Sequence, residues 1–120
     1  VNLIQQMISR GAHDWNWGLE GACFGGHTTL AELMISKGAT NWNWGLYKAC
    51  EGGHIKLTKL MISKGAKNWN LGFKTACING HLNVVKYLVP TFIQVNVNLI
   101  ECAQRYGHAD IVLYLQSLSK

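Results

Sequence analysis

Met-Ile-Ser, a basic residue and Gly-Ala occur in that order three times, beginning at Met7, Met34 and Met61, so the motif returns every 27 residues. A fixed interval of this size marks a repeat protein. Each unit buries its apolar face against its neighbours, and function sits on the surface the stack creates rather than in one closed pocket. Four histidines fix the frame: His27, His54, His81 and His108 stand 27 apart and each follows a glycine. The periodicity outranks the 120-residue length as a guide to architecture, because a stack of units has no set size.

Two short helices per unit follow from the pattern. In the unit starting at Trp42, Leu46, Ala49 and Cys50 recur at i, i+3 and i+4, which places them on one face of a helix of about two turns. Gly52-Gly53 ends it, since glycine accepts the left-handed conformation common just past a helix C-terminus. Leu57, Leu60 and Met61 repeat the spacing in a second helix, closed by Lys64-Gly65 as by Arg10-Gly11 and Lys37-Gly38. Helices this short are marginal in water, so packing between units must hold them. Asn16, Asn43 and Asn70 stand where a side-chain oxygen could cap the first helix.

The run Gly45-Leu46-Tyr47-Lys48-Ala49-Cys50-Glu51-Gly52-Gly53-His54, followed by Lys59-Leu60-Met61-Ile62-Ser63-Lys64-Gly65-Ala66, resembles the ankyrin repeat. So does Phe73 to Leu88, with Ala76-Cys77, Gly80-His81 and Val84-Val85-Lys86-Tyr87-Leu88 in the family register. The resemblance implies an all-α, ankyrin-like solenoid of stacked helix-turn-helix units over the whole chain. Near-identical Trp-Asn-Trp units are also similar to the ankyrin arrays abundant in large DNA viruses of protists. The ankyrin unit is ordinarily about 33 residues, and the missing residues fall where the family builds its β-hairpin. Shortened loops and little or no hairpin are therefore expected. Tryptophan and glycine also replace the usual Thr-Pro at the start of the first helix.

The pattern reads as a half repeat at 1–14, repeats at 15–41, 42–68 and 69–95, and a degenerate C-terminal capping repeat at 96–120. In the third full unit Pro90 replaces Ser63 and Thr91-Phe92-Ile93 replaces the Gly-Ala ending, while Asn96 and Asn98 replace tryptophans in the last. A chain that opens half-way through a unit is expected to be cut from a longer array.

Hydrophobic residues make up 48% of the sequence, enough for a core, yet no apolar run approaches the length of a membrane span. No signal peptide is recognisable, and a soluble, membrane-free protein is expected. Cys23, Cys50 and Cys77 share one position of successive units. Stacked helices lie about 8 to 10 Å apart, while a disulfide needs Cα atoms within about 7 Å, so these are expected as free, buried thiols. Cys102 falls in a different column. Unpaired thiols favour an intracellular, cytoplasmic location, in a host cell if the source is viral.

The recurring Cys and His raise the question of metal. Zinc takes four converging ligands at about 2.0 to 2.3 Å, whereas each unit offers two, Cys50 with His54, Cys23 with His27 or Cys77 with His81, and the last turn only His108. Structural turn residues explain the set better: the cysteine packs between the helices and the histidine hydrogen-bonds backbone across the turn. No cofactor motif, phosphate loop or nucleophile with a base and an orienting group appears, so no enzyme and no small-molecule substrate is expected.

The formal charge is +5, and from Lys48 to Lys74 six lysines face one acid, Glu51. That field favours an acidic protein partner. With only two arginines, nucleic acid is disfavoured. Tryptophans form two columns: Trp15, Trp42 and Trp69 read as space-filling residues stacked unit on unit, while Trp17 and Trp44 are open to either packing or an exposed aromatic stripe.

Positions that differ between units are the best guide to a partner. In ankyrin proteins the first helices and loops form a concave binding face, so the resemblance implies Glu20, Tyr47, Lys48, Glu51, Lys67 and Lys74 as contacts. The functional expectation is a protein-protein interaction module. A structural spacer within a longer scaffold and a basic module for polyanions are the alternatives.

Overall fold

A computed structural model describes residues 15–119. The half repeat expected at 1–14, with Arg10-Gly11 in it, lies outside the described residues. Eight helices make up the described chain: α1 (Trp15–Gly25), α2 (Thr28–Lys37), α3 (Trp42–Gly52), α4 (Ile55–Ser63), α5 (Trp69–Asn79), α6 (Leu82–Leu88), α7 (Val97–Tyr106) and α8 (Ala109–Leu118). Among the described residues there is no strand, so the stack is an all-α, ankyrin-like solenoid with no hairpin. Odd-numbered helices pack on one another in sequence, each also packs on the even-numbered helix that follows it, and α4, α6 and α8 continue the second layer. The result measures 54 × 23 × 18 Å with a radius of gyration of 15.6 Å. A compact chain of this length would have about 13 to 14 Å, so the units stack along one axis.

Each helix is amphipathic because small and apolar residues recur on one face. On α1 the buried set is Gly18, Leu19, Ala22 and Cys23, and on α3 it is Gly45, Leu46, Ala49 and Cys50. Second helices add Ala31 and Met34, Leu57, Thr58 and Met61, then Val84, Val85 and Leu88. α1, α3 and α5 run 11 residues, about three turns rather than the two expected, because they begin at the first tryptophan of each Trp-Asn-Trp or Trp-Asn-Leu segment. Even so they fall short of the roughly 12 to 15 residues at which an isolated helix becomes marginal. The inter-unit core supplies the difference.

That earlier start corrects the capping role expected for Asn16, Asn43 and Asn70, which all lie at the second residue of a helix. The cap position is taken by Asn41 for α3, whose side chain accepts from the Trp44 N–H at 3.4 Å, and by Asn96 for α7, which accepts from the Leu99 N–H at 2.8 Å. Asn16 and Asn43 instead serve the next loop. The Asn16 side-chain oxygen accepts from the N–H groups of Thr40 and Asn41 at 2.8 and 2.9 Å, and that of Asn43 from the Lys67 N–H at 2.8 Å. Loop amides need acceptors, and a loop too short to pair with a neighbouring strand takes them from the first helix of its unit, α1 or α3. Asn70 makes no equivalent bond among the described residues, since Thr91-Phe92-Ile93 has replaced the loop it would meet.

The Gly-Ala ending turns the chain into that loop. Gly65 adopts φ 121°, Ala66 is buried, and its N–H bonds the Met61 carbonyl at 3.0 Å. Ile93 occupies the matching site in the third unit, buried, with its N–H on the Leu88 carbonyl at 3.1 Å. The backbone closure thus persists where the motif does not.

Two stability outcomes follow. Asn43→Ala removes the loop acceptor and is expected to cost about 0.5–1.5 kcal/mol, whereas Asn43→Asp, which keeps an acceptor oxygen, costs less; urea unfolding of both variants measures the difference. A Cβ on Gly45 would stand 2.5 Å from the Met61 sulfur, and Met61 is fully buried. Overpacking costs about 1–3 kcal/mol, more than the roughly 1 kcal/mol that alanine gains over glycine in a helix. Gly45→Ala should therefore lower the thermal midpoint.

Candidate protein-binding surface

The odd-numbered helices present their second face away from the core. On α1 that face carries Trp17, Glu20, Gly21 and Phe24, at i, i+3, i+4 and i+7. On α3 it carries Trp44, Tyr47, Lys48 and Glu51; on α5, Leu71, Lys74 and Ile78. Four large apolar side chains stand out on it: Trp17 at 56% exposure, Phe24 at 51%, Ile78 at 46% and Trp44 at 41%. Solitary exposed apolar residues are ordinary, but a row of them along one face marks an interaction surface.

A groove of about 280 Å³ opens between α1 and α3, lined by Trp17, Glu20, Gly21, Phe24 and Lys48. Gly21 makes the space, because a Cβ there would meet nothing within 4 Å. Lys48 closes one side. Its Nζ stands 5.9 Å from the centre of the Phe24 ring, 5.2 Å from that of Tyr47 and 3.3 Å from Glu51 Oε1. Tyr47 stacks on Trp44 at 5.0 Å. The aromatic rings and the ion pair thus gather on one wall of the groove.

Of the residues singled out from sequence, Glu20 and Lys48 meet at the groove, with Tyr47 and Glu51 beside it. Lys74 is exposed on α5 and Lys67 on the loop ahead of it, and neither lines the groove. Phe24 and Ile78 vary between units but were not among the contacts expected from sequence. They share the position after the cysteine with Glu51 and Arg105, and the complement of the buried set Gly18, Leu19, Ala22 and Cys23 would have placed Phe24 on the outer face. The tryptophan columns divide. Trp15, Trp42 and Trp69 are half-buried against the core, Trp69 with its ring N–H on the Ala66 carbonyl at 3.1 Å and Phe92 at 5.3 Å, while Trp17 and Trp44 are exposed.

At the turn end, the histidines act between units rather than across their own turn as expected. His54 Nε2 donates to the Phe24 carbonyl at 3.0 Å, His81 Nε2 to Glu51 at 3.0 Å and His108 Nε2 to Ile78 at 3.2 Å, each 30 residues back. His27, first of the column, has no described unit ahead of it. Gly53, at φ 74°, lets His81 approach so closely that a Cβ would fall 2.5 Å from its Nδ1. Cys23, Cys50 and Cys77 are free and buried. Burial pushes all three thiols up to about 12, with Glu20 adding to the effect at Cys23 and Cys102 at Cys77, and a Thr58 contact opposing it at Cys50. Among the described residues no group of three or more His, Cys, Asp or Glu is placed to hold a metal ion, and no helix is long and apolar enough to cross a membrane.

A family model described as ankyrin repeats (3 copies) matches residues 19–98 and again 46–119. The chain belongs to the ankyrin-repeat family. No curated protein matches it, and the family match gives no support to the viral resemblance. Ankyrin repeats are in general protein-protein interaction modules rather than enzymes, which agrees with a surface that offers rings and fixed charges instead of a reactive group.

Thiol labelling checks the turn geometry. At pH 8 thiols with values near 12 are ionised at about one part in ten thousand. Iodoacetamide should therefore label the half-buried Cys102 alone in the native ankyrin stack, and all four cysteines in denaturant, as read by intact mass.

Proposed function

We propose that this ankyrin domain binds a partner protein through the outer face of its odd-numbered helices, the concave side of the stack, with the groove between α1 and α3 receiving an apolar anchor. The observation that carries this reading is the row Trp17, Phe24, Trp44 and Ile78, exposed beside a groove that Gly21 leaves open. Buried aromatic and apolar anchors dominate the energetics of interfaces, and a groove of this size takes one large side chain.

Glu20, Tyr47, Lys48 and Glu51 flank the anchor as specificity contacts, Lys74 extends the same face on α5, and Lys67 stands off it in the loop ahead. Charges on this face balance: Glu20, Glu51 and Glu101 stand against Lys48, Lys74 and Arg105. The partner segment here carries a mixed polar rim rather than an excess of acid. Catalysis forms no part of the proposal: the repeated cysteines Cys23, Cys50 and Cys77 are buried, with thiols pushed up to about 12. The units run 15–41, 42–68 and 69–95 with a capping unit from 96, each defined by one Trp-to-loop period, and the four free thiols suit an intracellular setting.

Gly21→Leu tests the groove without risk to the fold, because leucine favours the helix over glycine by about 0.8–1 kcal/mol and the space is empty. Affinity capture followed by mass spectrometry, with wild type and variant in parallel, should yield proteins retained by the wild type and lost by Gly21→Leu while the thermal midpoint rises. The triple variant Tyr47→Ala, Lys48→Ala and Lys74→Ala should lose the same proteins. Equal recovery by all three proteins overturns the assignment and leaves the spacer reading in its place.

A further inference from the structure

Most of the lysines that make the sequence basic lie off the face with the groove, which holds Lys48 and Lys74. Lys37 ends α2, Lys56 and Lys59 lie on α4, Lys64 follows it, Lys67 is in the next loop and Lys86 lies on α6; all six are exposed. Against them the even-numbered helices carry two acids, Glu32 on α2 and Asp110 on α8, with none on α4 or α6. Folding therefore sorts the charges: the odd-numbered helices are neutral in sum, and the even-numbered helices with their loops hold the excess.

The excess is also unpaired and held in place. Among the described residues the one ion pair is Lys48 with Glu51, on the opposite face. Lys59 Nζ lies 5.3 Å from the centre of the Tyr87 ring and Lys86 Nζ 5.7 Å from that of Tyr114, a contact repeated from one unit to the next. Cation–π contacts of this length orient an ammonium group without neutralising it. Like charges gathered on one face raise the energy of the free protein and lower it when an anion arrives.

We propose that the outer face of α4 and α6, with Lys56, Lys59, Lys64 and Lys86, is a second binding surface, and that its occupant is an acidic polypeptide segment in extended form. Three observations select a peptide among anions. The face has no arginine, the side chain suited to forked phosphate contacts. Both tyrosines are half-buried beneath lysines and offer no free ring for a base to stack on. No large apolar side chain is exposed on α4 or α6, and Leu113 of α8, exposed one repeat after Lys86, is a single leucine rather than the apolar face a lipid surface would need. Packed helices lie about 8 to 10 Å apart, a distance an extended chain covers in about three residues, so carboxylates on a short acidic run meet successive lysines. This surface is independent of the groove between α1 and α3 and does not rest on its reading.

The experiment uses the full chain and fluorescein-labelled octaglutamate, followed by fluorescence anisotropy at low salt. Wild type is expected to bind, with affinity falling as salt rises. Lys56→Gln, Lys59→Gln, Lys64→Gln and Lys86→Gln combined should weaken binding at least tenfold, while Trp17→Ala with Phe24→Ala leaves it within twofold. Because Lys59 and Lys86 touch tyrosines, the double variant Lys56→Gln and Lys64→Gln, which disturbs no ring, should still weaken binding at least threefold if the quadruple variant is unstable. Absence of binding by wild type or unchanged affinity in the lysine variants overturns the proposal. So does tighter binding of a 16-base-pair DNA duplex or of phosphatidylserine vesicles than of the peptide.

Discussion

Each described unit after the first is joined to the one before it by a contact between its turn histidine and a helix end. The last carbonyls of a helix have no partner within it, and those of α1, α3 and α5 point toward the next turn. An imidazole Nε2 donates to one carbonyl in each case, at 3.0 to 3.2 Å. Glycine in the left-handed conformation is needed beneath it twice over, to turn the chain and to leave room for the ring. The same few atoms end one helix, start the next and set the spacing between units. They act together with the buried inter-unit core that holds helices too short to persist alone.

The opposite edge is solved differently. Where the family spends residues on a hairpin, this chain has a loop from Gly38 or Gly65 to the next tryptophan, and its amides bond to Asn16 and Asn43 of the unit's first helix. One asparagine side chain ties the loop back to the first helix of its own unit, where a longer unit would hold its loop with strand backbone. The half-buried tryptophans Trp15, Trp42 and Trp69 fill the space beside it. Each unit is thus fastened at the turn edge by histidine and at the loop edge by asparagine, with the cysteine and alanine columns packed between.

Column positions were legible from sequence because a 27-residue period names what repeats: the buried alanines and cysteines, the turn glycines and the helix pairs follow from it, and the missing hairpin follows from the resemblance to a family whose unit is about 33 residues. What the period cannot name is the partner of a repeated group. A bond from His54 to a carbonyl in its own turn and a bond to Phe24 give the same column, since the second differs only by one whole unit. The asparagines posed the same problem, with Asn16 read as a cap when its acceptor faces residues 24 and 25 places ahead. Exposure of Trp17 and Phe24 was within reach, as the complement of Gly18, Leu19, Ala22 and Cys23 on one helix. The sorting of lysines was not, because Lys48, Lys56 and Lys74 are neighbours in sequence and lie on opposite faces in space.

That sorting and the shortened loop bear on the same surfaces. A hairpin that projects from the edge gives a repeat protein a third surface, set apart from both helix layers. Among the described residues this stack offers its two helix layers instead, and the odd and even helices differ in chemistry. One face collects rings, a notch at Gly21 and balanced charge, which favours an anchor that must be desolvated. The other collects ammonium groups spread over successive units, which favours attraction at longer range and tolerates imprecise register. Six lysines on the groove face would have surrounded an apolar anchor with strongly hydrated charge and raised the cost of drying it. Separation of the two chemistries lets one short stack use both.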